Sequence, residues 1–145
     1  MALADFDVRV VTPDGEVFSG RTTSVVVPGV DGYFGVWRGH APLIAGMDIG
    51  MVLIMGAEDR VVHIVAVSGG FVEVKGGSVT ILAEAAERAD NIDTIRADSA
   101  LTRARDRLSK HFAEIDVERA EVALRKSLNR KRAAERMAEK PTSLV

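Results

Sequence analysis

The chain has 145 residues and no cysteine, and its 19 Lys/Arg and 21 Asp/Glu give a formal net charge of −2 at neutral pH. The length predicts one ordinary domain, or one domain with an appendage, and the missing cysteine excludes disulfide scaffolds and thiolate metal sites. No segment approaches the ~18 consecutive apolar residues of a membrane span, and residues 1–30 lack a signal-peptide pattern. We therefore expect a soluble protein of a reducing compartment, associated with a membrane only through a complex.

Charge and glycine are distributed unevenly along the chain. Residues 1–87 hold 5 Lys/Arg and 11 Asp/Glu, a net charge of −6, whereas residues 88–145 hold 14 and 10, a net charge of +4. All 13 glycines lie at or before Gly77. Because glycine is avoided inside helices, we predict a β-rich domain over residues 1–87 and a helical domain over 88–137, followed by a flexible tail at 138–145.

Short apolar segments separated by turn sequences fill the first domain. In "DFDVRV" (5–10) the apolar residues alternate with charged ones, which is the pattern of a half-buried strand. Further strands are predicted at Thr23–Val27, Tyr33–Trp37, Met51–Met55, Val61–Val67, Phe71–Lys75 and Ser78–Ala83, with turns at 13–15, 28–32, 56–59, 68–70 and 76–77. About seven or eight strands without an intervening helix favour an antiparallel β-sandwich or a flattened barrel.

The segment "GYFGVWRGHAPL" (32–43) contains His40, one of three histidines. A general base needs a nucleophile or an orienting carboxylate, and the sequence neighbours of His40 supply neither, although a partner from elsewhere in the fold stays open. His63 lies in a predicted strand and His111 in a predicted helix, so no two histidines show metal-ligand spacing. We therefore interpret His40 as a structural or interface residue, and predict no catalytic residue and no metal site.

An apolar repeat of helical period begins after Asp90. A first stripe comprises Ile92, Ile95, Leu101, Ala104, Leu108 and Phe112, and a second comprises Val117, Ala120, Leu124 and Leu128. Asp90 or Asn91 is the expected N-cap of the first helix, with Asp93 in its first turn, and Asp116 the N-cap of the second. The connecting "SKHFAEID" (109–116) lacks glycine and proline, so the sequence allows either an antiparallel hairpin or a single rod of about 65 Å.

Both predicted helices are rich in cations. They carry Arg103, Arg107, Arg119, Arg125, Lys126, Arg130, Lys131, Arg132 and Arg136. No aromatic platform or known nucleic-acid reader motif accompanies them, so we predict no nucleic-acid partner. Solvated helix faces often show this pattern, but an acidic protein partner or a polyphosphate held by several arginines fits better.

Four motifs follow one another at family-like spacing. They are "VFSG" (17–20), "GYFGVWRGHAPL" (32–43), "VSGGFVEV" (67–74) with "VTILAE" (79–84), and "IDTIRA" (92–97). In this order they resemble the epsilon subunit of bacterial rotary F-type ATP synthase, and the resemblance covers residues 3 to about 137. The chain departs from the family at Arg38, where proline is usual, and at Trp37, where a smaller apolar residue is common.

The resemblance implies a ten-stranded β-sandwich followed by a two-helix C-terminal domain, and a role without catalysis. In that family the sandwich binds the gamma subunit and the ring of rotor (c) subunits, which completes the central stalk. The protein would then be peripheral, at the cytoplasmic face of the inner membrane, in a proton-translocating complex. The implied contacts with gamma and the ring involve Asp31, Tyr33, Phe34, Trp37, Arg38 and His40.

The helical domain would be the regulator. In related proteins it either folds against the sandwich or extends into the catalytic head of alpha and beta subunits, where it inhibits ATP hydrolysis. Our candidates for that head contact, taken as one patch, are Arg125, Lys126, Arg130, Lys131 and Arg132.

The "IDTIRA" match suggests ATP as a regulatory ligand, although no cofactor is required. Ile92 and Ala97 would shape an adenine pocket, Asp93 would accept a hydrogen bond from the base, and Arg96 would attract phosphate. Other positions of nucleotide-binding members match at Glu87, Arg103, Arg119 and Arg130, and Lys126 stands where those members often carry arginine.

Alternatives to this assignment remain. Asp93 and Arg96 also fit an ordinary i,i+3 ion pair in a first helical turn. At the level of function, the alternatives are a stand-alone ATP-sensing module and a small enzyme that uses His40.

Overall fold

The computed structural model describes residues 5–110 and 114–139, without the side chains of residues 114–116. The predictions made for His111, Phe112 and most of the tail therefore lie outside the described residues. Eight strands and two α-helices make up most of the described chain, in the predicted order of strands first and helices second.

The strands pair into one continuous sheet, which folds over into a sandwich. They are β1 (Phe6–Thr12), β2 (Gly15–Thr22), β3 (Ser24–Gly29), β4 (Gly32–Trp37), β5 (Leu43–Met55), β6 (Val61–Lys75), β7 (Ser78–Ala83) and β8 (Ala86–Arg88). The strand order is β2-β1-β7-β6-β5-β3-β4, and β8 pairs with β6. All pairs are antiparallel except β1–β7, which is parallel. The predicted β-sandwich is confirmed.

Two long strands explain why the described residues hold eight strands where the family resemblance implied ten. β5 has 13 residues and β6 has 15, and they pair with each other along nearly their whole length. On its other edge, β6 pairs with β8 at 65–67 and with β7 at 70–75. The long strands β5 and β6 therefore belong to both layers of the sandwich.

The predicted turn at 68–70 is wrong, because the chain bends there without ending the strand. Gly69 and Gly70 adopt φ angles of 100° and 125°, a region that glycine enters at little cost. Across the bend, the core-facing positions of β6 change from odd to even numbers, as buried Val67 and Val72 illustrate. Pairing with β5 continues on both sides, so β6 stays one strand.

Valine dominates the interior of the sandwich. Fully buried side chains include Val8, Val25, Val27, Val52, Val65 and Val72. Their branched side chains pack well on the pleated surface of a sheet. The core thus confirms the alternation seen in the sequence, with β1 as the clearest case.

Two helices, α1 (Thr94–Ser109) and α2 (Glu114–Ala138), pack against each other and together form the helical arm. The second helix lies on β5 and β6. Small residues such as Ala97 and Ala133 meet Leu53 and Ile64 of the sheet in a second apolar cluster. Of the two arrangements that the sequence allowed, the structure shows the hairpin, folded against the sandwich.

The N-cap of α1 differs from the prediction. Asp93 takes this position, and its Oδ1 accepts hydrogen bonds from the backbone nitrogens of Ile95, at 3.0 Å, and Arg96, at 3.2 Å. The predicted caps Asp90 and Asn91 lie instead in a short 3-10 helix that precedes α1. The reason is that a cap must sit next to the first helical residue, which here is Thr94.

Two further details of the arm were predicted wrongly. Ile95, expected in the apolar stripe, is 76% exposed. It lies two residues before buried Ala97, which places it about 200° around the helix from the buried face. The buried stripe of α1 runs instead through Ala97, Leu101 and Ala104. Asp116, expected as a cap, lies inside α2.

Candidate functional site

A polar cavity of about 350 Å³ lies where the helical arm meets the end of β8. It is lined by Glu87, Asn91, Asp93, Arg96, Ala100, Arg103 and Arg130. β8 supplies Glu87, α2 supplies Arg130 and the N-cap of α1 supplies Asp93, whereas residues 96, 100 and 103 follow helical spacing along one face of α1. The cavity therefore exists only while the arm is folded onto the sandwich.

Five of the nine predicted nucleotide-binding residues come together in this cavity. They are Glu87, Asp93, Arg96, Arg103 and Arg130. Lys126 lines a neighbouring cavity of about 190 Å³, which shares Glu87 and Arg130 with the first.

The structure does not bring the other three predicted residues to the cavity lining. Ile92 and Ala97 are buried in the apolar cluster between arm and sheet, where they support the site from beneath. Arg119 is exposed on α2 and lines neither cavity.

Positive charge dominates the cavity, because three guanidinium groups meet two carboxylates there. Arg130 is paired with Glu87 through both nitrogens, with Nε–Oε2 at 2.9 Å and Nη2–Oε1 at 3.4 Å. The N-terminus of α1, at Asp93, adds the positive end of a helix dipole. Such a set of donors suits an anion with several oxygens, for which planar guanidinium groups give paired hydrogen bonds.

The proposed ion pair between Asp93 and Arg96 is absent from the ion pairs of the described residues. Asp93 is the N-cap, with a non-helical φ of −77° and ψ of 106°. The i,i+3 geometry of a regular helix therefore does not apply to this pair. Asp93 fixes the turn that carries Arg96 through backbone hydrogen bonds instead.

In the folded arm, three of the five predicted head-contact residues pair with acidic side chains. Arg125 meets Asp48 at 3.0 Å, Arg130 meets Glu87 at 2.9 Å, and Lys131 meets Asp98 at 3.1 Å. These acids belong to β5, β8 and α1 in turn. The two remaining residues of the patch are Lys126, beside the smaller cavity, and Arg132, which is exposed.

The pKa of the Asp48 carboxyl lies below its usual value. The main cause is the backbone N–H of Ile49, which donates to Oδ1. Burial opposes this by raising the pKa, and the hydrogen bond and charge of the Arg125 guanidinium lower it further. Asp48 is therefore held as an anion, ready to pair with a cation on α2.

The predicted stalk-contact residues lie on β4 and in the loops on either side of it. Tyr33 and Trp37 are large aromatic side chains that remain 56% and 50% exposed. Phe34 packs against the sandwich core, and Asp31 is exposed in the turn before β4. Arg38 lies in the loop after β4, where its Nη1 donates to the Asp5 carbonyl at 2.9 Å.

His40 is exposed, and its Nδ1 lies 2.7 Å from the carbonyl oxygen of its neighbour Ala41. No carboxylate or hydroxyl is bonded to His40 in the described part of the chain. Within residues 5–110 and 114–139, no three His, Cys, Asp or Glu side chains group closely enough to hold a metal ion. The geometry around His40 thus offers no orienting partner for a general base.

The sandwich also carries an exposed apolar surface that the sequence did not reveal. Ile44, Phe71 and Leu82 are 71%, 58% and 50% exposed. Phe71 is opposite Gly46 on β5 and opposite Leu82 on β7, and Ile44 lies two residues from Gly46, so all three share the outer face of the sheet. We call these three residues the outer apolar face.

Two family models match the chain almost from end to end. The ATP synthase, Delta/Epsilon chain, beta-sandwich domain matches residues 5–89, and the long alpha-helix domain of the same chain matches residues 90–135. The chain belongs to the ATP synthase delta/epsilon family. Similar members include the ATP synthase epsilon chain of Desulforamulus reducens, 47% identical over 87% of this chain and 94% of its own length. That of Symbiobacterium thermophilum is 44% identical over 91% and 94%.

Solved structures show the same fold as this member of the delta/epsilon family. A chain in the cryo-EM structure of the Euglena gracilis mitochondrial ATP synthase (OSCP/F1/c-ring, rotational state 1) matches with a TM-score of 0.74 and 21% identity, over 94% of this chain and 82% of that one. A chain in the central stalk and c-ring structure of the Tetrahymena thermophila enzyme matches with a TM-score of 0.56 and 12% identity, over 88% and 95%.

The sequence did not predict two of the residues that line the polar cavity, Ala100 and Asn91. Ala100 follows Arg96 by four residues and precedes Arg103 by three, so helical spacing could have identified it. Asn91 lies in the 3-10 helix, where no such spacing applies.

Among the described helices, none is long and apolar enough to cross a membrane.

Proposed function

We propose that this chain is the epsilon subunit of an F-type ATP synthase, a non-catalytic subunit of the central stalk. The match of both the sandwich and the arm to one family over residues 5–135 carries this proposal. Relatives named ATP synthase epsilon chain, 44–47% identical over most of the chain, support it. Such a subunit is peripheral, at the cytoplasmic face of the inner membrane, and takes part in proton-driven ATP synthesis.

The sandwich would bind the gamma subunit and the rotor ring of c subunits. Two exposed surfaces support this: the segment 31–40, with aromatic Tyr33 and Trp37, and the outer apolar face. Large apolar side chains grouped at a surface are typical of protein interfaces.

Co-purification with gamma tests this assignment. Ile44→Asp places a charge on the outer apolar face, where burying isoleucine in an interface is worth about 2 kcal/mol. We expect its affinity for gamma to fall by at least about 30-fold. Ile95→Asp is the matched control, because Ile95 is similarly exposed, at 76%, but lies on the arm. Equal affinity of the two variants would refute the contact.

The arm would regulate ATP hydrolysis by moving between this folded state and an extended one. The patch of Arg125, Lys126, Arg130, Lys131 and Arg132 would then contact acidic segments of the catalytic alpha and beta subunits. The ion pairs of the folded state support this, because three of the five patch residues pair with carboxylates there. Deleting residues 88–145 should leave gamma binding intact and raise ATP hydrolysis by the reconstituted complex, whereas unchanged hydrolysis would remove the inhibitory role.

ATP would bind the polar cavity and favour the folded arm. Because α1, α2 and β8 all line the cavity, a ligand held there links the arm to the sandwich. At 100 times its dissociation constant, ATP would stabilise the folded state by about 2.7 kcal/mol. Converting a 1:99 equilibrium into 99:1 needs about 5.5 kcal/mol, so ATP acts as a switch only on an arm that is nearly balanced.

Isothermal titration of the full chain with ATP tests the ligand. Arg96→Ala should weaken binding about 10- to 100-fold, because a hydrogen bond to a charged group is lost. Arg107→Ala is the control, since Arg107 is exposed on the same helix and does not line the cavity. Heat that is equal in the parent and both variants would refute the site.

The alternative function is a stand-alone ATP-sensing module, for which the polar cavity would again be the binding site. Such a module would bind ATP without affinity for gamma. The gamma-binding and titration experiments together therefore separate the two functions.

A further inference from the structure

The arm meets β5 at a place where that strand is incompletely paired. β3 pairs with β5 at Val26–Leu53 and again at Gly29–Met47, and the register shifts between these points. The part of β5 between them therefore lacks a continuous ladder with β3. Backbone groups in such a segment need other partners.

Two side chains supply hydrogen bonds to this segment. Tyr33 Oη accepts the N–H of Met51 at 3.0 Å. Asn129 of α2 donates from Nδ2 to the carbonyl of Gly50 at 2.8 Å, and more weakly to that of Val67 at 3.4 Å. The arm thus completes the bonding of a strand in the sandwich.

The ion pair between Arg125 and Asp48 lies one helical turn away. Arg125 precedes Asn129 by four residues, so both project from the same face of α2. Asp48 Oδ1 accepts from Arg125 Nη2 at 3.0 Å and from the N–H of Ile49 at 2.7 Å. One turn of α2 therefore contacts two residues of β5, Asp48 and Gly50.

We propose that the contacts of Arg125 with Asp48 and of Asn129 with Gly50 form a latch, the β5 latch, which holds the arm in its folded state. The latch also keeps Arg125 away from the catalytic head, a consequence that rests on the proposed function. It is separate from the larger polar cavity, because Asp48, Arg125 and Asn129 do not line it. Asn129 lines only the smaller neighbouring cavity. Asp48 and Asn129 are thus positioning residues of the arm.

A single introduced thiol measures release of the arm in the isolated full-length chain. The chain has no cysteine, and Ala66, 5% exposed on β6, lies in the apolar cluster beneath α2. Ala66 also lines the smaller cavity, and departure of the arm exposes it further. In an Ala66→Cys background, a thiol reagent therefore reacts faster when the arm leaves the sheet. Ser127→Cys, at a site on α2 that is 7% exposed, gives a second reporter should the first disturb packing.

Both latch variants should react faster than the parent. Asp48→Asn removes an exposed ion pair, so we expect a rate about 1.5 to 5 times higher. Asn129→Ala removes a hydrogen bond to a partly buried carbonyl, so we expect a rate about 2 to 10 times higher. At 1 M salt, where the screening length is about 3 Å, the effect of Asp48→Asn should vanish and that of Asn129→Ala should persist.

Glu16→Gln is the matched control. It breaks the exposed ion pair between Glu16 and Arg9, at 2.9 Å, which joins β1 to β2 and does not involve the arm. Its rate should equal that of the parent. A parent-like rate in either latch variant overturns the proposal.

Hydrolysis by the reconstituted complex tests the consequence for Arg125. Asp48→Asn frees the arm and keeps Arg125, so it should lower hydrolysis. Arg125→Ala also frees the arm but removes one of the five cations of the patch, so it should lower hydrolysis less. If the deletion of residues 88–145 raises hydrolysis but Asp48→Asn does not lower it, the inference that the β5 latch keeps Arg125 away from the catalytic head is wrong. If the deletion changes nothing, the inhibitory function fails, and the thiol rates still decide the latch.

Discussion

Replacing Gly70 by alanine should be strongly destabilising, because this residue forms the bend of β6. Its φ is +125°, and a Cβ atom there would lie 2.0 Å from the carbonyl oxygen of Leu82 and 2.9 Å from the Cα of Ala83. A non-glycine residue in a glycine-only conformation costs about 1–3 kcal/mol. Because both close atoms are backbone, β7 must also move, which adds about 1–3 kcal/mol more.

Gly32 provides a control with the same backbone angle. Its φ is also +125°, but nothing lies within 4 Å of the Cβ position. Gly32→Ala should therefore lose only the conformational part of the free energy of unfolding, and Gly70→Ala should lose at least about 1 kcal/mol beyond it. Urea denaturation followed by circular dichroism measures both. Equal losses would refute the inference that β6 and β7 approach too closely for a side chain at residue 70.

Two more predictions concern His63 and Asp93. Burial lowers the pKa of His63 below 6.5, and the charge of Arg88 lowers it further. The imidazole of His63 therefore binds a proton more readily in the unfolded chain than in the folded one. The free energy of unfolding should fall as the pH drops through 6.5, and His63→Gln should remove that part of the slope in a pH series of denaturation curves. Asp93→Ala should cost about 1 kcal/mol by removing the N-cap, whereas Asp93→Asn should retain stability in thermal melts, since asparagine caps equally well. Equal losses in both Asp93 variants would contradict the capping role.

The sequence predicted the architecture because the two halves of the chain differ in period and in glycine content. Strand bounds were predicted less well, and each error has a local cause. The first half of β5 was missed because Gly46, Asp48 and Gly50 interrupt its apolar pattern. β8 was missed because it has only three residues.

Glycine was also the reason for the false turn at 68–70. A pair of glycines usually ends a strand, but here it allows one strand to pass from one layer to the other. What distinguishes the two cases is the partner strand β5, which stays paired on both sides of the bend. A long-range pairing of this kind leaves no signal in the residues nearby.

The sequence could predict the cavity-lining residues that follow one another at helical spacing. Arg96 and Arg103 share one face of α1, and the sequence identifies that face. Which side of α1 rests on the sheet depends on tertiary packing, and this is why Ile92 and Ala97 turned out to lie beneath the cavity and not in its lining. The outer apolar face was hidden for a similar reason, because its three residues come from three strands.

The arm and the sandwich are held together by different kinds of contact, and this difference bears on regulation. The sandwich relies on fully buried valines, whose burial does not depend on salt or on a ligand. The arm relies on an alanine-rich cluster and on ion pairs whose side chains are 32–56% exposed. Exposed pairs each contribute about 1 kcal/mol or less, so docking of the arm is a sum of small terms. A ligand that added about 2.7 kcal/mol would therefore be large for the arm and small for the sandwich, and the proposed opening of the arm would leave the sandwich folded.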